Sequence, residues 1–143
     1  MMPVTDPLHD LRHYSPAMTM TQLMKFCEKK DLKITRAMVQ NYIRDGLLPP
    51  PVNKRFYTHK HLAALAMIDR LKTVFDIPTI QSALSPYMDE EGLPPETYFS
   101  LISKTDELTR NWLKTAAETL NAEDDGGMLL TMVCAAGLKD LLN

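Results

Sequence analysis

The chain has two cysteines, five glycines and one tryptophan among its 143 residues. Cys27 and Cys134 lie far apart among apolar neighbours and read as buried free thiols of a reducing compartment, not as a disulfide. Few glycines leave no loop to cradle a phosphate, and no Ser, His and acid grouping marks a nucleophile, so no enzyme and no cofactor are expected. His9 with His13 and His59 with His61 lack a third ligand at useful spacing, so no metal is expected either. No run approaches the roughly 18 apolar residues of a membrane helix. Residues 1–18 carry Asp6 and Asp10 and do not resemble a secretory signal. The expectation is a cytoplasmic protein without a membrane partner.

Apolar residues make up 45% of the chain and charged residues 24%, enough for one substantial core. The net charge of −2 hides an asymmetry. Residues 1–75 hold twelve Lys or Arg against six Asp or Glu, a net of +6, and residues 76–143 carry −8. Such a split suggests a basic half that meets a polyanion and an acidic half that does not.

The pattern along the chain is helical. Residues 1–18, with three prolines, read as a flexible N-terminal arm. Thr21 is placed to cap a first helix bearing Leu23, Phe26 and Cys27. Thr35 is placed to cap a second, to about Asp45, that turns Met38, Val39, Tyr42 and Ile43 inward. Arg36, Gln40, Asn41 and Arg44 occupy its other face, and Gly46 ends it. This is a helix-turn-helix pattern. Leu47-Leu48 and Arg55-Phe56-Tyr57 read as two short strands around Pro49-Pro50-Pro51, a small wing over 49–57. Thr58 starts a further helix, Asp76 caps a fourth, and Pro94-Pro95 precedes a long helix to about Leu120. A last helix is expected from Met128 to Leu142, apolar nearly all round and hence buried.

TRAMVQNYIRDGLLPP followed by KRFYTHKHLAALAMIDRLKTVFDIPTI resembles the MerR family of winged-helix bacterial regulators. The resemblance covers residues 19–84 and implies a DNA-binding homodimer, its recognition helix in the major groove and its wing on the phosphate backbone. It implies a backbone role for Tyr42 and a phosphate contact for Arg55. The chain departs from the family at Met38, Gln40 and Asn41, in a longer connection between the first helices, and in a shorter wing. Gln40 and Asn41 have the chemistry to pair with adenine edges.

The expected fold is therefore mainly α: a winged helix-turn-helix with a two-stranded wing over 19–86, then an α-helical dimerisation or effector region over 94–143. The expected DNA contacts are Thr35, Arg36, Gln40, Asn41, Tyr42, Arg44, Lys54 and Arg55. Tyr98, Trp112, Met128 and Met132 are the candidates for dimer contacts or for lining a pocket for a small apolar effector. The competing expectation is a protein-interaction adaptor that keeps the scaffold without reading DNA.

Overall fold

The computed structural model describes residues 6–122 and Val133. The chain divides into two compact units, Met1–Tyr98 and Phe99–Asn143. The helices are α1 (Met20–Lys29), α2 (Arg36–Arg44), α3 (His59–Leu71), α4 (Ile77–Leu84) and α5 (Pro95–Ala122), with 3-10 turns at Leu11–His13 and Ser85–Tyr87. The helix expected over 128–142 lies outside the described residues, Val133 excepted.

Among the described residues there is no strand and no sheet, so the two-stranded wing expected over 49–57 is not present. The reason lies in where the backbone donors go. The N–H groups of Leu47 and Leu48 both turn back to the Tyr42 carbonyl, at 2.9 and 3.1 Å. Pro49, Pro50 and Pro51 then have no N–H to offer a ladder. Only Val52 and Phe56 pair across the turn, and Tyr57 pairs instead with Met18, each as an isolated bridge. A tight turn replaces the wing.

The first unit is organised around α3. Every residue from His61 to Ile68 is buried, so over this stretch the helix has no side open to solvent. Leu62, Leu65 and Ile68 are fully inaccessible, and burial of each such side chain contributes roughly 1.5–3 kcal/mol. Val74 is exposed beyond the end of α3. The C-terminal part of α3 is tied to the α1–α2 connection: Asp69 accepts the Lys33 N–H at 3.0 Å, and the Lys72 ammonium donates to the Lys33 carbonyl.

The segment expected as a flexible arm is packed from residue 6 onward. Leu8 and Leu11 are buried, and Asp10 pairs with Lys30 at 2.6 Å. The first unit also runs past the boundary expected after residue 86. Leu93 donates to the Lys60 carbonyl at 3.1 Å, and the buried Tyr98 hydroxyl donates to Asp6 at 2.8 Å. Gly92 permits this strap, since a Cβ there would stand 2.5 Å from the Lys60 carbonyl oxygen.

α1 is capped at Thr19, two residues before the expected Thr21. Thr19 and Gln22 form a reciprocal capping box, with the Thr19 N–H donating to Gln22 Oε1 at 2.9 Å. α1 and α2 end in the same way. In α1 the Leu32 N–H reaches the Cys27 carbonyl and the Asp31 N–H reaches Glu28; in α2 Leu47 reaches Tyr42 and Gly46 reaches Ile43. Each is a Schellman motif whose pivot needs a left-handed backbone. Gly46 supplies φ +80° freely, whereas Asp31 holds φ +56° with a side chain. Its ion pair with Lys33, at 2.8 Å, is open to solvent and is worth less than about 1 kcal/mol. Asp31→Gly is therefore expected to stabilise the protein by about 0.5–1 kcal/mol, and Gly46→Ala to destabilise it by about 1 kcal/mol. Urea denaturation of the two variants measures both signs.

Candidate nucleic-acid interface

Thr35 positions α2 by accepting the Met38 N–H at 3.2 Å. Arg36, Gln40 and Arg44 then recur at four-residue spacing, with Ala37 and Asn41 beside them, and all five are exposed. Val39 and Tyr42 face the core. The Arg44 guanidinium has one carboxylate neighbour, Asp45, at 3.3 Å in an open pair. The exposed face of α2 thus presents two guanidinium groups and two carboxamides.

Tyr42, expected at the phosphate backbone, is only 7% exposed. Burial, and then the charge of Asp69, push its phenol above the usual range. The three- and four-residue apolar spacing that aims Val39 inward takes Tyr42 with it. The structure keeps this residue apart from the other seven expected contacts.

Beside α2 stands the turn that replaces the wing. Asn53 and Lys54 both take positive φ, +54° and +61°. The Phe56 N–H donates to the Val52 carbonyl at 3.0 Å, and Val52 donates back to Phe56 at 2.8 Å. Asn53, Lys54 and Arg55 are exposed at its tip. The Arg55 guanidinium sits 5.3 Å from the Phe56 ring centroid, which orients it without neutralising it. Arg36 is close enough to Tyr57 to oppose, by its charge, the rise that burial imposes on that phenol. Arg36 and Tyr57 therefore lie within electrostatic reach of each other.

The turn is held to the core by His61, which the sequence reading passed over except as a weak metal ligand. Its Nε2 lies 3.0 Å from the Pro50 carbonyl oxygen, which only accepts, so Nε2 carries the proton. Nδ1 then accepts the Thr58 N–H at 3.0 Å. This is a capping box in which histidine takes the position usual for Glu or Gln. The pattern Thr58-x-x-His61 was visible, but its partner carbonyl was not. His59 likewise serves structure, donating from Nε2 to the Tyr14 carbonyl at 2.9 Å.

The remaining candidates fall in different parts of the chain. Tyr98 belongs to the first unit, where it is buried against Asp6. Trp112 is part of the second unit and is exposed on α5. Met128, Met132 and Cys134 lie outside the described residues. Cys27 is buried and free, and burial pushes its thiol up to about 11, which keeps it protonated and unreactive at neutral pH.

The fold and this surface define a helical domain carrying one exposed basic helix face next to a basic turn. The chain belongs to the family described as Domain of unknown function (DUF1836), which matches residues 17–101. The match spans α1 to the start of α5 and so takes in the whole of the candidate surface. No curated protein and no solved structure matches the chain. Among the described residues no helix is long and apolar enough to cross a membrane.

Desolvation lowers the pKa of His61, outweighing the Pro50 hydrogen bond and the charges of Glu91 and Asp89, which raise it. The folded protein therefore takes up this proton less readily than the unfolded chain. Stability should be fully present above the ordinary imidazole pKa near 6.5 and fall as the pH drops below it, by at most about 1.4 kcal/mol per pH unit. His61→Gln keeps a capping acceptor and removes the titration. Thermal melts between pH 7.5 and 5 should show a flatter dependence in that variant than in the natural chain.

Proposed function

We propose that the chain is a DNA-binding transcriptional regulator that uses α2 as its recognition helix. The observation that carries this reading is the face of α2: Arg36, Gln40, Asn41 and Arg44 are all exposed, capped by Thr35 and flanked by the Lys54-Arg55 turn. The resemblance of residues 19–84 to MerR-type regulators supports the same assignment. Gln40 and Asn41 read base edges, since carboxamides pair bidentately with adenine. Arg44, Lys54 and Arg55 hold phosphates, which position the protein without specifying sequence. The turn takes the place of a wing, so its grip on the backbone depends on two side chains. Tyr42 supports α2 from beneath.

In this reading the protein acts as a homodimer on a two-fold operator, with half-sites about 34 Å apart on one face of the duplex. The acidic second half joins the subunits and takes up any small apolar effector, since its charge does not suit it to DNA.

Three phosphate contacts per half-site release about six counterions per dimer, which gives a slope of log K against log salt of roughly −5. Arg44→Ala with Arg55→Ala removes about four of those contacts and should flatten the slope to about −2. Selection from random duplex DNA, followed by salt titration of the enriched site, measures both quantities. Absence of enrichment, or a slope near zero, would overturn the reading in favour of an adaptor that binds protein through the same face.

A further inference from the structure

Between the Leu11–His13 turn and α1 lies a groove of about 300 Å³, bordered by Tyr14, Met18 and Phe26 and rimmed by His13, Lys25 and Lys29. Its apolar side is held rigidly. Met18 exchanges both backbone hydrogen bonds with Tyr57, at 2.9 and 2.7 Å. Tyr14 meets Phe26 edge-on, with ring centroids 4.9 Å apart at 89°, and its carbonyl accepts the His59 Nε2–H. Met18 and Phe26 are buried and form the floor.

The rim carries charge of one sign. No carboxylate borders the groove. The adjacent Lys30 is paired with Asp10, but neither Lys25 nor Lys29 makes an ion pair among the described residues. Lys25 and Lys29 stand one turn apart on α1, so their ammonium groups reach the same edge. Lys29 lies 5.6 Å from the Tyr14 ring centroid, directly above the apolar wall.

We infer that this groove binds a small amphipathic carboxylate. Its apolar body rests on Met18, Phe26 and the Tyr14 ring, and its carboxylate sits between Lys25 and Lys29. The volume stands at the lower end of the roughly 300–1,000 Å³ usual for small-molecule sites, which suits a single-ring acid better than a larger cofactor. A preformed wall spares the ligand the cost of ordering it. Free phosphate satisfies the lysines and leaves the floor wet, so charge alone does not fill the site. The inference does not depend on DNA binding, because it uses none of the residues assigned to DNA.

The test titrates the ¹⁵N-labelled full chain, without DNA, with phenylacetate, phenylacetamide and inorganic phosphate, following amide shifts by NMR. Phenylacetate should shift signals of residues 13–29 and bind at least about fivefold more tightly than the amide. Lys25→Gln with Lys29→Gln should abolish that preference and leave the weak affinity for the amide unchanged. Equal affinity for acid and amide in the natural chain overturns the inference. So does the absence of shifts in 13–29, or the same shifts with phosphate.

Discussion

The middle of α3, from His61 to Ile68, is buried on every side, and the first of these residues, His61, ties the start of the helix to the turn before it. With Nδ1 accepting the Thr58 N–H and Nε2 donating to Pro50, the imidazole satisfies a helix start and a proline carbonyl in one gesture. An unpartnered buried donor costs about 1–3 kcal/mol. The neutral ring is suited to the task because it offers one donor and one acceptor on opposite sides. Much of the first unit hangs on this link. The Tyr57 ring packs edge-on against the imidazole at 5.3 Å, and Tyr57 in turn bridges to Met18. The basic turn, the entry to α1 and the start of α3 thus share one anchor.

The three prolines acquire a different meaning in this light. As part of a wing they would only stiffen a loop. In the structure they hold the chain extended after α2, deny donors to any ladder, and leave the Pro50 carbonyl facing His61. The reversal is then confined to Asn53 and Lys54, where two left-handed residues turn the chain in the shortest distance. Asn is among the few side chains that tolerate this conformation and Lys is not. That a lysine accepts it places its ammonium at the tip of an exposed turn, beside Arg55.

How much could be read in advance differs by element. The caps at Thr35 and Asp76 and the stop at Gly46 were legible, because each depends on a side chain and the backbone within a few residues of it. The exposed face of α2 was legible for the same reason, since helical period alone sorts Arg36, Gln40, Asn41 and Arg44 from Val39 and Tyr42. The wing was misread because β-forming residues on both sides of a turn say nothing about where their N–H groups go. Leu47 and Leu48 look like a strand and serve as the end of a helix. Asp31 was passed over because a Schellman pivot usually carries Gly or Asn. Tyr98 and Asp6 could not have been paired by any local rule across 92 residues.

What the sequence by itself determined is helices α1 to α5, the polar face of α2 and the basic character of the first half. These follow from period, capping and charge, which act over one or two turns of chain. The tertiary structure decided that a turn stands where a wing was expected, that His61 ties this turn to α3, and that α1 borders a cationic groove. Those outcomes depend on which distant carbonyl or ring meets a given donor, and packing around α3 brings these partners together.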